Sequence, residues 1–277
     1  LCGNPKGSTS TFDWAKNDIS RKAVGMTSTR TAPKFSAVIV AAGQSARFKD
    51  PNFKKPFAPL EGKAVWLHSA DRFLRRGDVS QVILVIPPTE REDFLSRFGA
   101  NVAVLGIDVV DGGAQRADSV RSGVAAARSD SDFIAIHDAA RPCLSDAWLE
   151  RLFLAAREHG AAILAEPVTS TVKRSNDGKK IEATVDRSGL WLAQTPQVFR
   201  RQSIIDALTR FGSSGFTDEA QLMEKAGVSV RIVEGSPLNI KITTRQDLAL
   251  AAAILKILPG NRLDAPLHPF AEDRLWR

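Results

Sequence analysis

The chain has 277 residues, 43% of them hydrophobic and 25% charged, the proportions of an ordinary globular protein with room for one large α/β domain or two small ones. Nothing in it approaches the roughly 18 consecutive apolar residues of a membrane-spanning helix or a signal-peptide core, and its two cysteines, Cys2 and Cys143, form neither a disulfide framework nor a CxxC pair. A cytoplasmic protein without membrane association or structural zinc is therefore expected. The formal charge of +7 is concentrated outside the predicted body: residues 1–34 hold six Lys/Arg against two Asp/Glu, residues 35–256 hold 29 against 26, and residues 257–277 hold three of each. With no basic stripe interleaved with aromatics, nucleic acid is not an expected partner.

Residues 1–34 are polar and without period, and read as a disordered extension. Met26 offers a natural start, which would make residues 1–25 a remnant or an upstream extension. A plastid transit peptide is the competing expectation, favoured by Ser, Thr and Arg content and opposed by Asp13 and Asp18. From Phe35 the pattern alternates strand and helix, the signature of a parallel sheet. Ala37 to Val40 is a buried strand that breaks into Ala41-Ala42-Gly43 and a polar loop reaching Arg47, Lys54 and Lys55. Small residues there let backbone N–H groups approach an anion closely, and a polyphosphate is the simplest ligand. The loop is not a Walker A motif, since no Gly-Lys-Ser/Thr follows.

Helical spacing predicts a helix over Ala64–Arg76, ended at Gly77, and QVILVIP predicts a strand over Gln81–Pro87. Thr89 is an expected N-cap for the next helix, and either Val102–Val104 or Ile107–Val110 is an expected third strand. After Asp111-Gly112-Gly113 come a helix over Gln115–Arg128, a strand over Phe133–His137, a helix over Asp146–His159 ended by Gly160, and a strand over Ala161–Val168. A polar turn at Ser175–Lys180 between two extended runs predicts a protruding hairpin, about residues 168–188, which has no core of its own and is suited to burial against a second subunit. Strands over Trp191–Phe199 and Val228–Glu234, a helix starting near Gln202, an element over Thr217–Gly227 and a helix over Arg245–Leu258 complete the body. The Pro-containing tail, 259–277, is expected to be irregular.

In a doubly wound sheet ligands sit beyond the carboxyl ends of the strands. Ala41 to Arg47, Gly112 to Ser119, His137 to Arg141 and Asn239 to Thr243 all fall at such ends. Asp138 is a candidate ligand for the Mg²⁺ that accompanies a nucleoside triphosphate, with a helix N-cap or a partner for Arg141 as alternatives. Arg116 and Asp118 read as a surface pair, Ser119 as a helix start, and His137, on the opposite face of its strand from Asp138, as a satisfied core histidine. Cations dominate the candidates: Arg47, Lys55, Arg187 and Lys241. This suits nucleotidyl transfer, where positioning and charge stabilisation supply most of the catalysis.

As an ordered set, AAGQSARF (41–48), VDGGAQRADSV (110–120), HDAARP (137–142), PVTSTVKR (167–174), TVDRSGLW (184–191), AQTPQ (193–197), TDEA (217–220) and NIKIT (239–243) resembles the 2-C-methyl-D-erythritol 4-phosphate cytidylyltransferases of the non-mevalonate isoprenoid pathway. The resemblance spans about residues 36–258 and implies a Rossmann-like nucleotidyltransferase that transfers CMP from CTP, with Mg²⁺, to methylerythritol phosphate and releases pyrophosphate. It implies that Arg47 and Lys55 stabilise the transition state and that Arg187 and Lys241 position the acceptor. Ala41, Ala42, Gly43, Gly113, Ser119, Asp138, Ala139, Ala140 and Arg141 would form the CTP site, with Asp138 on the metal. Thr171, Arg187, Thr195, Thr217 and Lys241 would contact the acceptor, in a homodimer whose arm carries Thr171 and Arg187 to the neighbouring subunit. The loop departs from the family at Phe53-Lys54-Lys55-Pro56-Phe57, where one residue is inserted, so Lys54 competes with Lys55 for the phosphate role. Ala114 replaces a more polar residue. Ribitol 5-phosphate cytidylyltransferases share much of the pattern, and a catalytically silent nucleotide-binding protein is the alternative of a different class.

Overall fold

Residues 32–43, 48, 54–212 and 215–258 are described by the structure, a computed structural model. The tail at 259–277 and most of the N-terminal extension lie outside them, and so does Arg47. Lys34 is joined to the body, since its backbone N–H donates to Asp132 Oδ2 at 2.8 Å and its carbonyl accepts from Phe133.

The first strand, β1 (Phe35–Val40), is buried along its whole length. Successive side chains point to opposite faces, so Phe35, Ala37 and Ile39 enter one core while Val38 and Val40 enter another. A strand buried on both faces has no solvated side, which explains the apolar run Ala37–Val40; the one polar member, Ser36, is buried against Gln81 and Ser131, to which its hydroxyl is hydrogen-bonded. A short hairpin, β2 (Pro59–Leu60) and β3 (Lys63–Ala64), turns through Glu61 and Gly62, both at positive φ. Then follow α1 (Val65–Leu74), β4 (Val79–Ile86), α2 (Arg91–Leu105), β5 (Asp108–Asp111), α3 (Arg116–Ala125), β6 (Phe133–Asp138), α4 (Asp146–His159) and β7 (Ala161–Pro167).

In this half one pair of alternatives is decided and one expectation is corrected. Val102–Val104 is the last turn of α2, which runs on until Gly106 caps it at φ 62°, so the third strand is the Ile107–Val110 alternative, observed as β5. Thr89 is not the N-cap of α2, because a short 3₁₀ turn over Pro88–Glu90 intervenes. The helix α4 starts at Asp146, with Ser145 Oγ accepting from the Trp148 N–H, and ends at Gly160, as its capping residues predict.

The chain continues with β8 (Val172–Arg174), β9 (Ala183–Val185), β10 (Trp191–Arg200), α5 (Arg201–Phe211), α6 (Glu219–Lys225), β11 (Arg231–Glu234) and α7 (Arg245–Ile257). The central sheet has seven strands in the order β11-β7-β10-β6-β1-β4-β5. All neighbours are parallel except β10, which runs antiparallel to β6 and β7. One core, containing Trp66, Phe73, Phe94 and Phe153, covers one face; the other, containing Val120, Val124, Leu208 and Met223, covers the opposite face. Contact of α3 with the sheet needs Gly123, where a Cβ would stand 2.3 Å from Val38 Cγ1. The arm is the antiparallel pair β8–β9, in register Val172↔Val185, and its tip from Arg174 to Thr184 is exposed.

Candidate active site

The carboxyl ends of β1 and β6 lie side by side, Val40 pairing with Asp138, and Ala139 N–H donates to Val40 O at 3.0 Å. The loop after β5 closes against them: Gly112 N–H donates to Ile86 O, and a Cβ on Gly112 would lie 2.6 Å from Ala42 Cβ. Glycine there lets two loops meet at van der Waals distance. Gly113 N–H donates to Ser119 Oγ at 3.2 Å, which fixes the turn into α3; the helix is capped reciprocally by Gln115 and Asp118. Ser119 therefore lies inside the first turn rather than starting the helix. The expected nucleotide residues Ala41, Ala42, Gly43 and Gly113 thus belong to two adjoining loops, Ser119 lies in the first turn of α3 behind them, and Ala139 and Ala140 are buried just beyond β6.

Asp138 is the hub. Its Oδ1 accepts from Arg116 Nε at 2.9 Å and its Oδ2 from Lys241 Nζ at 2.7 Å. Burial opposes its ionisation, but Arg116 and Lys241 hold its carboxyl well below the usual carboxylate range. Neither sequence alternative holds: Asp138 caps no helix, and Arg141 donates instead to Asn239 O at 2.6 Å. Arg116 and Asp118 do not form the expected surface pair. Arg116 turns inward to Asp138 and grips Glu219 with Nη1 and Nη2 at 2.6 and 3.1 Å. Burial disfavours the Arg116 charge, yet the two carboxylates raise its pKa above the ordinary arginine value. Asp118 stays at the helix cap.

His137 is a satisfied core residue, as its strand position predicts. It is fully buried, with Nδ1 3.1 Å from Thr195 Oγ1 and Nε2 3.1 Å from Arg141 O. Burial pushes its pKa down to about 4. Thr195 Oγ1 also accepts from the Asp138 N–H at 3.0 Å, and Asn239 Nδ2 donates to Thr195 O and Gln194 Oε1. Ile242 N–H bonds Ala140 O at 2.8 Å, which brings the NIKIT segment and Lys241 over β6. Asn239 Oδ1 and Arg141 Nε are buried without a hydrogen-bond partner among the described residues.

The other expected residues are spread around this group. Thr217 is exposed and bonds Gln221 Oε1 through N and Oγ1. Thr171 and Arg187 are exposed on the arm and are not joined to Asp138 within this single chain. The two lysines of the inserted loop differ. Lys54 is exposed, pairs with Glu90 and lines a cavity of about 390 Å³ over Phe57, Phe94 and Phe98; Lys55 is half-buried and opens the 3₁₀ turn Lys55–Phe57. Sequence reasoning missed Arg116 and Glu219 as site residues. The only available signal was a basic residue three positions after Gly113 and an acidic one inside TDEA, and nothing in the spacing says that they meet.

Residues 35–257 match the family described as 2-C-methyl-D-erythritol 4-phosphate cytidylyltransferase. The enzyme of that name from Chromobacterium violaceum is 43% identical over 221 residues, covering 79% of this chain and 96% of its own; the one from Rhodopirellula baltica is 40% identical over 236 residues, covering 81% and 96%. Among solved structures, 4-diphosphocytidyl-2C-methyl-D-erythritol synthase from Anaerococcus prevotii superposes with a TM-score of 0.67 at 29% identity, covering 81% of this chain and 99% of that one. The protein from Thermus thermophilus gives a TM-score of 0.66 at 30% identity, covering 81% and 100%. With its sheet order, its strand-end loops and this match across nearly all of its described body, the chain belongs to the 2-C-methyl-D-erythritol 4-phosphate cytidylyltransferase family.

Proposed function

We propose that this enzyme transfers CMP from CTP to 2-C-methyl-D-erythritol 4-phosphate, giving 4-diphosphocytidyl-2-C-methyl-D-erythritol and pyrophosphate. Within the family match, the observation that carries the reading is the Asp138–Lys241 pair at the end of β6, beside the small-residue loop after β1. An oxygen of the acceptor phosphate attacks the α-phosphorus of CTP, a new P–O bond forms, and the bond from the α-phosphorus to the bridging oxygen breaks as pyrophosphate leaves. The nucleophile is already an anion, so no general base is needed; the obstacle is repulsion between two phosphates. Lys55 and Arg47 are assigned to the CTP phosphates and Lys241 to the acceptor phosphate, each offsetting negative charge where it accumulates. Lys55 is preferred to Lys54 because Phe57 then falls where the family has its aromatic residue after the lysine. Ala41, Ala42, Gly43, Gly113, Ser119, Ala139 and Ala140 line the nucleotide side, where small side chains leave backbone groups accessible. Arg141, Thr195 and Thr217 complete the single-chain site.

The donor set fits Mg²⁺. Among the described residues no group of three or more His, Cys, Asp or Glu could cage a metal, and Asp138 is a single carboxylate beside the nucleotide loops. Magnesium bound to nucleotides takes one or two protein carboxylates and completes its shell with phosphates and water. When bound, it would neutralise phosphate charge, with Asp138 as its protein ligand.

The arm presents Ile181 to solvent, and the chain leading from it into β10 presents Leu190, Trp191 and Leu192, which suits burial in a homodimer and delivery of Thr171 and Arg187 to the partner's site. Incubating the protein with CTP, Mg²⁺ and 2-C-methyl-D-erythritol 4-phosphate should release pyrophosphate. Turnover with ribitol 5-phosphate and none with methylerythritol phosphate would assign the other acceptor; CTP binding without turnover of either would make this a silent relative.

A further inference from the structure

Glu219 is buried, 4% exposed, at the start of α6, and no step of the reaction above uses it. Its carboxylate takes both terminal nitrogens of Arg116, at 2.6 and 3.1 Å, while Asp138 receives only Arg116 Nε, on one oxygen. Lys241 occupies the other oxygen. A guanidinium facing a carboxylate favours the two-pronged pairing. Without Glu219, Arg116 would be free to turn that fork onto Asp138 and cover both oxygens. The segment bearing Glu219 is itself anchored: Gln197 on β10 donates to Asp218 Oδ2 at 2.9 Å and accepts from Ala220 N–H at 2.9 Å. Glu219 is thus a fixed point for the arginine.

We propose that Glu219 is a positioning residue which, by engaging the fork of Arg116, restricts that arginine to one oxygen of Asp138 and leaves the second exchangeable between Lys241 and the divalent cation of the CTP complex. The idea rests on the reading of Asp138 as a cation ligand. It also ties the loop that carries Thr217 to the nucleotide side of the site through a single arginine.

Manganese binding to the protein with CTP present and acceptor absent, read by electron paramagnetic resonance, tests it alongside turnover. Outer partners of metal ligands are worth about 10–100-fold in metal affinity or activity, so Glu219→Gln should weaken Mn²⁺ binding at least about tenfold and lower kcat similarly. CTP affinity measured calorimetrically without metal should change less than about threefold, and Glu219→Asp, which keeps the charge, should recover part of the Mn²⁺ affinity. Arg116→Lys, which has no fork to turn onto Asp138, gives a second route if Glu219→Gln is not recovered folded: in the Arg116→Lys background, adding Glu219→Gln should change Mn²⁺ affinity by no more than about twofold. Mn²⁺ affinity within about twofold of the parent in a folded Glu219→Gln protein, a loss of about tenfold from adding Glu219→Gln to Arg116→Lys, or a parallel loss of metal-free CTP affinity, would overturn the proposal. A parent protein that binds Mn²⁺ with CTP but turns over no methylerythritol phosphate would sink the assigned reaction and leave this inference standing.

Discussion

The charged group around Asp138 and the hairpin arm are built on opposite principles. In the first, Glu219, Arg116, Asp138 and Lys241 alternate in sign, the two carboxylates buried, and the neutral groups beneath them, Thr195, His137 and Asn239, are fixed by hydrogen bonds to backbone. Arg116 is the keystone of this group, because taking it away leaves the buried Glu219 carboxylate without a counter-charge. The arm has three-residue strands, an exposed tip and exposed apolar side chains, and two short strands alone are marginal in water. The lesson is a division of labour: the charged group is preorganised within one chain, whereas on the proposed reading Thr171 and Arg187 reach the acceptor on an element stabilised by a second chain.

The largest expected effect falls on the charged group. Lys241→Ala should lower turnover by about 10²–10³-fold, the range for losing one preorganised charge at a phosphoryl centre. Its sedimentation should stay that of the parent, and a change in the mass of the assembly would break the proposed division. Next comes a pH effect on stability. Folded His137 titrates near 4, below its unfolded value of 6.5, so between these pH values the unfolded chain binds more protons and stability is lost as pH falls. The full loss is about 3 kcal/mol by linkage, and the slope of unfolding free energy against pH should flatten in His137→Gln.

A third pair of variants sharpens the assignment at the inserted loop. Lys55→Ala should cost about 2 kcal/mol of transition-state stabilisation in kcat/KM, while Lys54→Ala, which removes a half-exposed ion pair with Glu90, should stay within about 1 kcal/mol in both stability and turnover. The reverse outcome would move the phosphate role to Lys54. The smallest effect on stability belongs to the arm. Ile181→Ser removes a side chain that is 61% exposed and should shift folding stability by no more than about 0.5 kcal/mol, yet move dilute protein toward monomer in sedimentation. A fall of several degrees in Tm with unchanged mass would mean that the arm packs on its own subunit.

Much of the fold was legible locally. Strand β1 reads as buried because it is apolar on both faces, α4 is bounded by Ser145 and Gly160, and the arm follows from a polar turn between extended runs. The misreadings came where local signals compete: Val102–Val104 has strand-like composition but lies in a helix that continues until Gly106 can adopt positive φ. Of the site, the strand-end loops, Asp138, His137 and Lys241 were readable by position.

What the sequence alone determined was the alternation of elements, the small-residue loops and the family, because these depend on periodicity and ordered motifs along the chain. What only the tertiary structure decided was who pairs with whom. Arg116 and Glu219 are 103 positions apart, and Lys241 reaches Asp138 over a comparable separation. Partners so distant in the chain are chosen by the crossovers that bring α3, β6, α6 and the segment before α7 together at the carboxyl end of β6, a proximity that no local pattern encodes.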